Sequence, residues 1–150
     1  MPTKDSLLDA TGVKLGRTAT GMEDAIDQVG RTLVEIGAVE EAYVAAMHER
    51  EKSVSTFIGE NVAIPHGTDE GRKHVLRTSL VVLQFPDGVD WDGNDVRMCV
   101  GIAANGSEQV GILSSLAQVL MEPALAAELR GAADAETVIR ILQSKNEESE

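Results

Sequence analysis

Cysteine is nearly absent. Cys99 is the only one in 150 residues, which rules out an internal disulfide and fits a reducing compartment. Aromatic residues are also scarce, at 3% of the chain, so the core must be aliphatic and no platform of rings is available for stacking bases. Positive charge is in deficit. Thirteen Lys and Arg stand against 25 Asp and Glu, a formal charge of −12. That balance argues against nucleic acid and anionic membrane as partners, since both demand a basic patch. No apolar run approaches the ~20 residues of a membrane span, and the opening MPTKDSLLDATG lacks the apolar region of a signal peptide. A cytoplasmic protein is expected, with no nucleic-acid partner and no direct membrane insertion.

What is present fits one domain spanning residues 1–150, with 43% apolar residues and no internal repeat. A first helix is predicted from Thr20, with Glu23 completing a capping box and Ile26, Val29, Leu33 and Ile36 on one face before Gly37 stops it. A second helix, Glu40 to Lys52, places Val44 and Met47 inward and ends in the charged run HEREK. Val62–Ile64 reads as a short strand, and SLVVLQF (79–85) as a strand covered on both faces. PDGVDWDGND reads as a turn-rich connection to a second buried strand, VRMCVGIAA (96–104). Val13–Leu15 offers an edge strand. The rest is helical: Val110, Leu113, Leu116 and Leu120 share a face, Pro123 opens a short helix that Gly131 closes, and Val138, Ile141 and Leu142 line the last one. Strands in the middle with helices at both ends indicate a three-layer α/β domain.

The candidate functional residue is His66. It ends the apolar run of GENVAIPHGT between Pro65, which stops a ladder, and Gly67, which permits a sharp turn or a close approach. His48 and His74 lie in charged segments and read as solvated surface residues. The three histidines are 18 and 8 residues apart, which matches no compact metal-ligand pattern. No Gly-x-Ser-x-Gly elbow and no nucleotide-binding glycine loop is present. Covalent catalysis by the imidazole itself remains, because a neutral ring nitrogen is a competent nucleophile. A phosphoryl group placed on it needs cationic and hydrogen-bonding neighbours. Arg50 offers a planar fork that matches phosphoryl oxygens, and Ser55, Thr56 and Thr68 offer hydroxyls, each with an ordinary turn or cap role as its alternative. Cys99, between aliphatic neighbours, reads as a core thiol.

The stretch YVAAMHEREKSVSTFIGENVAIPHGT (43–68) resembles the enzyme IIA components of the bacterial phosphoenolpyruvate-dependent sugar phosphotransferase system, in the mannitol/fructose class and closest to the mannitol branch. VGIAANGSEQVGILSSLAQVL and the C-terminal helices follow in the same order, so the resemblance covers nearly the whole chain. It implies a mixed five-stranded sheet with helices on both faces. It also implies that His66 accepts a phosphoryl group from the carrier HPr and hands it to a cysteine of enzyme IIB, while Arg50 stabilises the group. A monomer is expected, and no metal or cofactor is called for, since donor and acceptor are protein side chains.

One position departs from that pattern. The family has a second active-site histidine where this chain, in NGSEQVGIL, has Gln109. Glutamine can donate a neutral amide hydrogen bond but cannot become a cation. The helix beginning near Glu108 could add backbone N–H donors. The alternative reading is a regulatory IIA-like module whose phosphorylation state controls a partner. A metal-dependent hydrolase has little support.

Overall fold

The apolar run at 79–85 forms the first half of β4 (Ser79–Trp91), and every residue of it is buried. Side chains alternate across a strand, so Leu80 and Val82 enter one core while Val81, Leu83 and Phe85 enter another. The computed structural model describes residues 10–104 and 106–148. Within them a five-stranded sheet runs in the order β1-β4-β5-β3-β2, where β1 is Val13–Lys14, β2 Phe57–Gly59, β3 Val62–Ala63 and β5 Asn94–Ala103. The β1/β4 and β3/β5 pairs are parallel, and β4/β5 and β2/β3 are antiparallel, so the sheet is mixed.

Five helices cover it. α1 (Met22–Glu35) and α2 (Ala42–Ser53) close one face. α3 (Gly106–Leu120), α4 (Pro123–Arg130) and α5 (Ala135–Glu148) close the other, through Leu116, Leu120, Leu129, Val138 and Ile141. The expected three-layer α/β fold and its mixed five-stranded sheet are what the structure shows. Pro123 opens α4 and Gly131 caps it, as their positions predict.

The differences have local causes. α1 begins at Met22, and Asp24 rather than Glu23 reaches back, its Oδ2 accepting the Thr20 N–H at 2.9 Å. Helix α2 starts two residues later than expected, and Tyr43 joins Met47 as an inward residue while Val44 is only half-buried. PDGVDWDGND is not one long connection. Its Val-Asp-Trp continues β4, because Val89 and Trp91 pack into the core, and only Asp92–Gly93 turns. Both turn residues have positive φ, 56° and 94°, the mirror-image turn whose twist suits a tight hairpin. β2 went unrecognised because it is three half-buried residues long. It pairs with β3 through a second tight turn, Glu60–Asn61, again with positive φ at both residues (53° and 62°). There Arg130, at the end of α4, donates to the Glu60 carbonyl at 2.7 Å.

Candidate active site

His66 lies where β3 has ended but the chain still runs beside β5. The Ile102 N–H donates to the Pro65 carbonyl at 3.0 Å, and His66 pairs with Ile102 in a single parallel bridge. On the other side, the Gly67 N–H donates to the Tyr43 hydroxyl at 2.9 Å, and that hydroxyl donates to the Ile102 carbonyl at 2.9 Å. Gly67 serves close approach rather than a turn. A Cβ there would meet the Tyr43 ring at 2.6 Å, closer than real contacts allow. The imidazole is therefore held by a backbone pinned on both flanks.

His66 is only 6% exposed. Its Nδ1 lies 2.8 Å from the Ile64 carbonyl oxygen. A carbonyl only accepts, so Nδ1 carries the proton and Nε2 keeps the lone pair. Burial is the largest influence on its protonation and pushes the pKa below the ordinary 6.5. The hydrogen bond to Ile64 and the carboxylate of Glu51 act in the opposite sense, while the Arg50 and Arg72 guanidiniums add to the lowering. At neutral pH the ring is uncharged, with a nucleophilic nitrogen at Nε2.

Arg50, in the last turn of α2, is near enough to act on the ring's charge, and its Nη1 donates to the Val54 carbonyl. Arg72 was not anticipated. It lies in the single-turn helix Glu70–His74 that follows the His66 loop, with Nη2 2.9 Å from Asp69 Oδ1. Its Nε–H is buried without a hydrogen-bond partner among the described residues. The nearest sequence signal was its place five residues after Gly67, too weak to use without the fold. Thr68 turns its oxygen to the Gly71 N–H at 3.0 Å, which leaves its own proton to donate.

Thr56 is directed elsewhere. It is 3% exposed, and its hydroxyl donates to Glu51 Oε1 at 2.7 Å. Ser55 accepts the Phe57 N–H at 3.1 Å. Glu51, one of the charges of HEREK, is buried at 9% exposure. Its carboxylate accepts from the Thr56 N–H (2.8 Å), the Thr56 hydroxyl and Trp91 Nε1 (2.9 Å). It also borders a cleft of about 260 Å³ between α1 and α2, lined by Met22, Glu23, Ile26, His48 and Lys52. Gln109 falls within α3, and its side chain lies outside the described residues.

The remaining candidates are accounted for by ordinary partners. His48 and His74 are half-buried rather than solvated, 3.6 Å from Asp27 and 2.9 Å from Glu40. Cys99 is buried in β5, and burial pushes its thiol well above the ordinary range, so it stays protonated. Among the described residues, no group of three His, Cys, Asp or Glu could hold a metal ion. No single described helix is long and apolar enough to cross a membrane.

A buried, neutral histidine with a directed lone pair and two nearby guanidiniums is suited to carrying a phosphoryl group. Residues 6–145 match the family "Phosphoenolpyruvate-dependent sugar phosphotransferase system, EIIA 2". The chain belongs to that family. This enzyme IIA chain is 40% identical over 142 residues to the "Mannitol-specific phosphotransferase enzyme IIA component" of Staphylococcus aureus, covering 95% of this chain and 90% of that one. Its fold is similar to that of the Escherichia coli protein in the "Complex of enzyme IIAMTL and phosphorylated enzyme IIBMTL", with TM-score 0.85, 35% identity and coverage of 92% and 99%. The crystal structure of the Escherichia coli mannitol IIA is similar as well, with TM-score 0.82, 37% identity and coverage of 89% and 97%. The chain is thus a phosphotransferase component, as the resemblance of its sequence implied.

Proposed function

We propose that the chain is a phosphocarrier in which His66 Nε2 takes a phosphoryl group from phospho-HPr and passes it to a cysteine of enzyme IIB, for uptake of a sugar alcohol. The names of the relatives point to mannitol as that sugar alcohol. The observation that carries the reading is the Nδ1–H bond to the Ile64 carbonyl, which aims the free lone pair away from the backbone.

In the first transfer the Nε2 lone pair attacks phosphorus, and the N–P bond of the donor breaks with its electron pair returning to the donor imidazole. In the second, a cysteine thiolate attacks phosphorus and the electron pair of the N–P bond returns to Nε2. Both steps pass through a loose transition state in which charge on the three equatorial oxygens needs cations and donors. Arg50, Arg72 and the Thr68 hydroxyl are assigned to that task. The Thr56 hydroxyl, a phosphoryl donor by its sequence position, is assigned instead to Glu51, which already takes its proton. Gln109 takes the place of a histidine and supplies a neutral donor at most.

Incubation with phosphoenolpyruvate, enzyme I and HPr should raise the intact mass by one phosphoryl group, acid-labile and alkali-stable as an N–P bond. His66→Ala should take up none. Uptake by His66→Ala overturns the assignment.

A further inference from the structure

A continuous hydrogen-bonded path leads from Glu51 to the imidazole of His66. Trp91 Nε1 and the Thr56 N–H both donate to Glu51 Oε2, at 2.9 and 2.8 Å, and the Thr56 hydroxyl donates to Oε1 at 2.7 Å. The carbonyl of the same Thr56 accepts the Ile64 N–H at 3.0 Å. The Ile64 carbonyl then accepts His66 Nδ1–H at 2.8 Å.

We propose that Glu51 is a positioning residue for the phosphoryl acceptor: by clamping Thr56 it places the Ile64 carbonyl that keeps the His66 proton on Nδ1 and the lone pair on Nε2. This rests on the reading of His66 as the acceptor.

The physical case has three parts. A neutral imidazole exchanges its proton between two nitrogens, so a fixed acceptor is needed to choose one. The acceptor here is a single carbonyl, and its direction is set by the conformation of Ile64. Pro65 confines Ile64 to extended geometry, but β2 and β3 are only three and two residues long and cannot fix their own register. β5 anchors the hairpin on one side, and Thr56, immediately before β2, anchors it on the other, its amide and hydroxyl both bound by one buried carboxylate. The same anchor ties down the loop that presents the Val54 carbonyl to Arg50, so one clamp serves the nucleophile and its cation. The sequence shows Glu51 only as one of several charges after His48, whereas the fold turns it inward, away from solvent.

The test compares the wild-type protein with Glu51→Gln, Thr56→Val and Thr56→Ser. Two readouts are needed: the ¹⁵N shifts of the His66 ring above its titration range, and the rate of HPr-dependent phosphorylation. The wild type should show one tautomer, protonated at Nδ1. Glu51→Gln keeps the shape but turns an amide N–H₂ toward the donors, so it should give mixed tautomers and a tenfold or larger fall in rate. Thr56→Val should fall between the two, and Thr56→Ser, which retains the hydroxyl, should recover most of the loss. If Glu51→Gln does not fold, the Val/Ser pair at position 56 decides.

A single Nδ1–H tautomer persisting in folded Glu51→Gln and Thr56→Val overturns the proposal. So does slower transfer by Thr56→Val with the tautomer unchanged, which would place that hydroxyl on the phosphoryl group instead. If the wild type takes up no phosphoryl group, the proposed function fails, while the tautomer comparison still gives its own answer.

Discussion

The two faces of the sheet are built from different chemistry. Under α3, α4 and α5 the core is Val, Leu, Ile, Met and Ala, and the buried Gln84 there donates to the Arg130 and Ala132 carbonyls at the end of α4. Under α1 and α2 lie all four aromatic residues of the chain: Phe57, Tyr43, Phe85 and Trp91. Two of these carry a polar group into the core. The Tyr43 hydroxyl holds Gly67 and Ile102, and the Trp91 indole holds Glu51. An aromatic side chain buries a large apolar area and still offers a donor at its rim. The scarce rings are therefore placed where polar machinery must be anchored inside a dry layer. The aliphatic face supplies stability, and the aromatic face supplies stability and geometry together.

That division can be broken by substitution. Leu129→Ala, in the fully buried aliphatic layer, should lower unfolding free energy by about 2–5 kcal/mol while the folded molecules transfer phosphoryl groups at the wild-type rate. Denaturant unfolding combined with an HPr-dependent assay checks both halves. A loss of transfer per folded molecule would show that the faces are not separable.

Arg50→Ala should do the reverse, with unfolding nearly unchanged. Loss of a charge-assisted hydrogen bond of about 1.5–3 kcal/mol to the transferred group corresponds to a rate roughly ten- to a hundredfold lower. Loss of cooperative unfolding in this variant would mark the arginine as structural.

Tyr43→Phe keeps the ring and removes only the oxygen. It should cost about 1–3 kcal/mol of stability, because the Gly67 N–H and the Ile102 carbonyl lose their partner, and it should slow transfer as well. Equal stability loss without slower transfer would mean that Gly67 does not need its anchor.

Gln109→His restores a group that can be charged. It should speed phosphorylation of His66, or stabilise the product, by up to about tenfold or ~1.4 kcal/mol. The gain should be clearest below pH 7, where an imidazole is substantially protonated. A profile across pH 6 to 8 identical to the wild type would make the substitution neutral.

The smallest effect is on stability against pH. Unfolded His66 binds its proton near the ordinary 6.5, but the folded ring binds it only at lower pH. Between those values the unfolded chain holds more protons, so stability rises with pH. The contribution is complete above the unfolded pKa and is lost as pH falls through the folded one. His66→Gln should flatten that slope in thermal unfolding between pH 5 and 7. An unchanged slope would assign the titration to other groups.

The long elements were legible because their periodicity is unambiguous: the alternation through Leu80 and Val81, the helical spacing of Leu116 and Leu120, the Pro123/Gly131 punctuation. His66 was legible because Pro65 and Gly67 frame it. Glu51 and Arg72 were not, since each is one charge among several in its segment. Only tertiary packing decides which member of HEREK or EGRKH turns inward. Tyr43 was passed over for a related reason: its importance lies in a hydroxyl that reaches Gly67, 24 residues away along the chain.

The Glu60–Asn61 turn has a consequence for how the site opens. Glu60 is held there in left-handed geometry, which costs roughly 1–2 kcal/mol for most side chains though less for a residue such as Asn61, and the hairpin they close is too short to be stable alone. Arg130, donating to the Glu60 carbonyl and lying 3.6 Å from the Glu60 carboxylate, helps to hold it, together with the pairing of β3 to β5 and the clamp on Thr56. The hairpin is therefore tied to the end of α4 as well as to β5. Amide hydrogens in β2, β3 and the last turn of α4 are expected to exchange with solvent together. Opening of the segment that delivers His66 would then require release by the aliphatic layer as well as by β5.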